Sequence, residues 1–118
     1  MAVLLETTKG ELYFNPETIS RVHLSPDHST LTVHFVNGTL FSVDVGTDQE
    51  RRSIGEFLAR LSQDGRGFLS SGRELLNLRS AVWVSIPDEG PIQVRWQDNR
   101  THSLSEVNVD HVRTALQP

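Results

Sequence analysis

Hydrophobic and polar residues alternate along most of this chain, and two stretches break the alternation with a helical stripe. Leu31, Val33 and Phe35 fall on one side of an extended segment, with Thr32 and His34 on the other. Ile92, Val94 and Trp96 repeat that arrangement. Val3 to Leu5 and Glu11 to Phe14 read as two strands around a Thr8-Lys9-Gly10 turn, and Asn15-Pro16 breaks the second. A short turn then passes into a strand carrying Ile19, Val22 and Leu24. Ser25-Pro26-Asp27-His28-Ser29 is a turn by residue type. Asn37-Gly38 and Asp98-Asn99 are hairpin signals of the type I′ kind, where both central residues need positive φ. Their return strands are Thr39 to Val45 and Thr101 to Leu104. Ala81-Val82-Trp83-Val84 is apolar on both faces and is expected to be buried.

The helical stretches have their own signals. Thr47 and Glu50 form a capping box, and Ile54, Phe57, Leu58 and Leu61 follow at one-face spacing, with Asp64-Gly65 as the stop. Ser103 and Glu106 suggest a second box before the stripe Val109, Val112 and Leu116. The chain thus reads as two loose copies of one order of elements, about residues 8–65 and 66–118. Asn15 matches Asn77 at an offset of 62 residues and Phe35 matches Trp96 at 61. Periodicity gives about eight strands and two small amphipathic helices in one domain spanning 1–118.

Between the copies lies Phe68-Leu69-Ser70-Ser71-Gly72-Arg73-Glu74-Leu75-Leu76-Asn77. It can present hydroxyls, backbone N–H groups and one guanidinium together, which suits a phosphate or a base edge. The same composition suits a solvent-exposed connection between two sheets.

Charge and composition narrow the function classes. The net charge is −4, with 11 Lys+Arg against 15 Asp+Glu, which opposes a large uniformly basic surface. All the cations except Lys9 are arginines, the better fork for phosphate or guanine. The chain has no cysteine, so disulfides, thiolate metal sites and cysteine nucleophiles are excluded, and a reducing cytoplasm fits. Met1 to Leu5 is too short an apolar run for a signal peptide or membrane span.

Catalytic and metal chemistry find little support. The histidines at 23, 28, 34, 102 and 111 lack helical ligand spacing. His34 and His102 sit in strands and could face each other across a sheet, but a metal needs three or four convergent ligands. Ser70 and Ser71 lie outside a nucleophile-elbow context, and Gly65-Arg66-Gly67 lacks the phosphate-loop lysine. The expectation is therefore no enzyme, no metal and no cofactor. Trp83 and Trp96 could stack bases, but inward parity favours core packing for both.

Taken in order, these features resemble a LytTR-type domain, the DNA-binding output module of bacterial regulators. The resemblance spans roughly residues 8–116. It rests on the strand-turn-strand from Val22 to Val45, the helix up to Leu61, and Phe68 followed by Leu75-Leu76-Asn77 where the family runs from its phenylalanine to a Val-Asn pair. An apolar strand, a hairpin and Ser105 at the start of the last helix complete it.

The resemblance implies an elongated, mainly β fold of short antiparallel sheets whose loops reach successive grooves of duplex DNA. Carried over, the first contact loop is Asp27-His28-Ser29-Thr30, the second Ser70-Ser71-Gly72-Arg73, and the third Ser105-Glu106-Val107-Asn108. His28, Ser29, Ser70, Ser71, Arg73 and Asn108 are the implied contact residues, with Arg66 as a further phosphate cation. Two departures stand out. Gly72 followed by Arg73 replaces the family's basic or amide residue and serine, and Glu106-Val107 stands where a cation is expected. A carboxylate facing phosphate is repulsive. The expected function is a stand-alone, cytoplasmic DNA-binding protein in transcription, with control through a regulatory protein partner or a homodimer and without a membrane. A protein-interaction module on the same fold is the alternative.

Overall fold

A computed structural model of the chain describes residues 2–64, 67–105 and 107–117. Among the described residues, ten strands form three antiparallel sheets. Strands β1 (Val3–Thr7) and β2 (Gly10–Phe14) make a separate hairpin. Strands β3 (Ile19–Leu24), β4 (Thr30–Phe35) and β5 (Leu40–Asp44) join β6 (Phe68–Ser71) and β7 (Glu74–Asn77) in a five-stranded sheet ordered β5-β4-β3-β7-β6. Strands β8 (Trp83–Ser85), β9 (Ile92–Arg95) and β10 (Thr101–Leu104) form a three-stranded sheet. The helices are α1 (Asp48–Asp64) and α2 (Val109–Leu116). The molecule is elongated, 46 × 29 × 25 Å.

The central sheet separates two cores. On one face, Val22, Leu31, Val33 and Leu75 pack against Phe57 and Leu61 of α1 and Val3 and Leu5 of β1. Phe57 and Leu61 are fully buried, each stabilising the fold by roughly 1.5–3 kcal/mol. Phe14 centres an aromatic group there, 5.4 Å from Phe57 and 6.1 Å from Phe35 between ring centroids. On the other face, Leu76 meets Ile92, Val94, Trp96, Leu104, Val112 and Ala115. Leu75 and Leu76 are adjacent in sequence and point into opposite cores, because successive strand side chains alternate.

Local rules explain several joints. The Thr47 capping box forms as expected, with Glu50 N–H on Thr47 Oγ1 and Thr47 N–H on Glu50 Oε1, both 3.1 Å. Ile19 and Val22 differ in parity yet share one core, and a bulge between Ile19 and Arg21 supplies the extra residue. Asn15 and Asn77 each precede a 3-10 turn, Pro16–Thr18 and Leu78–Ser80. The order strand, 3-10 turn, three strands, helix therefore occurs twice.

Four sequence expectations are corrected. The central stretch is not a connection between sheets; it is the β6–β7 hairpin, two strands beyond the expected number. Neither Asn37-Gly38 nor Asp98-Asn99 is a type I′ turn, since only Gly38 and Asn99 have positive φ, 88° and 68°. Both are three-residue loops in which the preceding Asn37 or Asp98 side chain accepts the N–H of Thr39 or Arg100. Ser103 lies in β10 rather than at a helix start; α2 begins later, at the Asn108 cap, and Glu106 lies outside the described residues. Strand β8 is an edge, so Val84 turns inward while Val82 and Trp83 remain 59% and 44% exposed. Trp96 alone of the two tryptophans is core. Gly65 lies outside the described residues, and no described helix is long and apolar enough to cross a membrane.

Candidate nucleic-acid interface

Strand β3 pairs with β4 on one side and β7 on the other, so the β3–β4 and β6–β7 tips emerge at the same end of the sheet. The Leu24 N–H donates to the Arg73 carbonyl at 3.1 Å and ties one tip to the other.

The first tip, Ser25 to Ser29, is built around Asp27. Its Oδ1 accepts the Ser25 hydroxyl at 2.7 Å, the Ser29 hydroxyl at 2.6 Å and the Ser29 N–H at 3.1 Å. Ser29 and then Ser25 thereby pull the carboxyl pKa down to about 2. His28 has φ 61°, the left-handed region that side chains other than glycine seldom adopt, and is exposed. The Ser29 hydroxyl is thus engaged within the loop and the tip carries a fixed negative charge.

The second tip is Gly72-Arg73, closed by the Ser71–Glu74 pair. Gly72 has φ 61° and Arg73 does not have positive φ, the pattern of a two-residue II′ turn that begins on glycine. A turn this short leaves Arg73 little backbone freedom. His28, Ser70, Gly72 and Arg73 rim one groove of about 300 Å³ floored by Leu31 and Leu75.

The structure therefore brings together His28, Ser29, Ser70, Ser71 and Arg73 on two adjoining tips. Asn108 belongs to a separate element: it caps α2, its Oδ1 accepting the Asp110 N–H at 2.8 Å. Arg66 and Glu106 lie outside the described residues.

A polar seam that the sequence did not reveal runs behind the tips. Glu74 lies between His23 of β3 and His102 of β10, with Oε1 3.6 Å from His23 Nδ1 and Oε2 3.6 Å from His102 Nε2. His102 and then the charges of His23 and Arg21 hold the Glu74 carboxyl below its ordinary range, against the opposing effect of burial. Trp96 Nε1 donates to His102 Nδ1 at 2.8 Å. Arg21 is 3% exposed, lies 5.5 Å from the Trp96 ring centre and reaches Asp98 at 3.1 Å. His34 and His102 belong to different sheets and so are not partners across one sheet. In sequence Arg21, Glu74, Asp98 and His102 read as ordinary strand and turn residues.

No protein-family model matches the chain, and no curated protein matches it. Among solved structures, a LytTr DNA-binding domain from Bacillus cereus is similar, with a TM-score of 0.60 over 98% of this chain and 95% of that one, at 15% identity. The chain has the fold of a LytTr DNA-binding domain, mainly β with three short antiparallel sheets and two helices.

Proposed function

We propose that this protein binds duplex DNA and acts in transcription regulation, using the paired β3–β4 and β6–β7 tips as its contact surface. The observation that carries the reading is the juxtaposition of exposed Arg73 and His28 on two adjoining hairpin tips of a fold shared with a LytTr DNA-binding domain. Projecting tips can enter a groove that a flat sheet cannot, and a guanidinium can fork onto guanine or phosphate. Ser70 and Ser71, on the strand that leads into the Arg73 turn, are hydroxyl donors for the DNA backbone.

Selection from random duplexes tests the reading, with the enriched sequence measured by fluorescence anisotropy at two salt concentrations. The expected result is an enriched motif, with log affinity falling against log salt at a slope near −0.9 per phosphate neutralised. No enrichment and no binding at low salt would overturn it.

One observation favours a second reading, a protein-interaction module. The ionised Asp27 carboxylate sits on the first tip, where it repels phosphate and would attract a basic partner surface.

A further inference from the structure

Glu74 occupies the first position of β7, directly after the turn residue Arg73. Across the five-stranded sheet its Cα partner is His23, and beyond that sheet it faces His102 on β10. Trp96 fixes the state of His102. An indole N–H can only donate, so the His102 Nδ1 that receives it at 2.8 Å must carry a lone pair, and the ring proton sits on Nε2, facing Glu74. The orientation of His102 is set in turn by buried Trp96, which lies under the Arg21 guanidinium. Arg21 ends on Asp98, which Arg100 also approaches at 3.9 Å. An exposed pair at 3.6 Å does little alone, but Glu74 is 26% exposed and stands at the end of a chain that links both sheets.

We propose that Glu74 is a positioning residue for the Arg73 turn: held between His23 and His102, it fixes the β6–β7 tip against the three-stranded sheet and so presents Arg73 to DNA. The inference rests on the DNA-binding reading above. The two-residue turn transmits the constraint, because Arg73 is bounded by Glu74 on one side and tied through its carbonyl to Leu24. Without the clamp the tip rocks, and ordering it again opposes binding. The titratable and charged groups that face Glu74 are His102 on β10 and His23 and Arg21 on β3, Arg73 precedes it in the chain, and Asp98, Arg100 and His34 gather around Arg21.

Positioning and simple electrostatics predict opposite signs, which makes the test sharp. Removing a carboxylate next to a phosphate-facing arginine should by Coulomb attraction alone tighten DNA binding. If Glu74 positions Arg73, Glu74→Ala instead weakens binding to the selected duplex, roughly three- to tenfold. The same substitution in an Arg73→Ala background then changes nothing further, because the effect passes through Arg73. His102→Asn is the companion variant: its amide oxygen can still accept from Trp96, while no atom remains at the Nε2 position that faces Glu74. It is expected to weaken binding like Glu74→Ala, and it decides the matter if Glu74→Ala does not fold. In the free protein, long-range proton–nitrogen NMR should show the Nε2–H tautomer of His102. Wild-type binding with unchanged or tighter binding in the folded variants overturns the positioning role and leaves the DNA reading standing. A loss in Glu74→Ala that persists undiminished in the Arg73→Ala background also overturns it. Wild-type protein that binds no duplex removes both readings together.

Discussion

Asn77 donates its side-chain Nδ2 to the Ile19 carbonyl at 2.9 Å, across the buried seam between the end of β7 and the start of β3. Ile19 is fully buried and Asn77 is 6% exposed, so water cannot replace the bond. The same amide lies 3.4 Å from the Pro16 carbonyl, bracing the 3-10 turn before β3. Asn77→Ala removes this buried donor from the Ile19 carbonyl, which should cost about 1–3 kcal/mol. Urea denaturation should show a lower midpoint at an unchanged m-value.

Gly67 lies against the same seam. A Cβ there would come within 2.6 Å of Asn77 Oδ1 and 2.7 Å of Arg79 Cγ. Arg79 cannot easily yield, because its Nε donates to the Ala115 carbonyl at 3.4 Å and its Nη2 to the Gln117 carbonyl, closing the end of α2. Gly67→Ala should therefore destabilise by about 1–3 kcal/mol. Gly55 is the opposite case: it lies on the exposed face of α1 with nothing within 4 Å of a new Cβ. Gly55→Ala should stabilise by roughly 1 kcal/mol, since alanine restricts the unfolded chain and favours the helix. Thermal melts of the two variants should move in opposite directions.

Alternation and capping carried much of the fold, because both are local. Leu31, Val33, Ile92, Val94 and Trp96 are buried as their parity requires, and α1 starts at its Thr47 box. Local reading failed where pairing is long-range. Ser70, Ser71 and Glu74 carry no strong strand signal, and β6 and β7 become strands because β3 offers β7 an edge. Trp83 departs from its expected burial because nothing in Ala81 to Val84 marks β8 as an edge. At the candidate site, Arg73 stood out by residue type within the central stretch, while His28 entered only through the resemblance to LytTR-type domains. The Glu74–His102–Trp96 chain could not, since its members meet only after two sheets have packed.

Stability should fall in two stages on acidification. His34 is half-buried, and burial first, then the charge of Arg21 and Arg100, lowers its pKa below the ordinary 6.5. The folded state thus resists a proton that the unfolded chain accepts. That contribution is complete above pH 6.5 and is lost as pH falls below it towards the depressed folded value. Glu74 and Asp98 act lower down. Both carboxyls lie below their ordinary values: His102 is the leading cause at Glu74, while at Asp98 the Arg100 N–H and Arg21 overcome the upward push of burial. Their contribution is full above the ordinary 4.5 and 3.8 and disappears as pH falls through the lower folded values. Urea midpoints followed from pH about 7.5 to about 3 should show both declines, and His34→Gln should flatten the first while leaving the second.

Arg73 and Asp27 should act on DNA with opposite signs. Arg73 is an exposed cation on the second tip, and Asp27 a carboxylate held ionised on the first. If Arg73 forks onto a guanine, Arg73→Ala should cost roughly 1–3 kcal/mol and relax preference at one base position. If it reaches only phosphate, the loss should be uniform across sequences and the salt slope should fall by about one unit. Asp27→Asn keeps an amide oxygen where Oδ1 accepts from Ser25 and Ser29, so the loop shape is retained while the charge is removed. Binding to duplex should then tighten, with the larger gain at low salt where the repulsion is least screened. Ser71→Ala should weaken binding without altering sequence preference, because a hydroxyl on the backbone positions the tip and reads no base. Anisotropy titrations at two salt concentrations separate these outcomes. Unchanged affinity in both Arg73→Ala and Asp27→Asn would remove the paired tips from the contact surface.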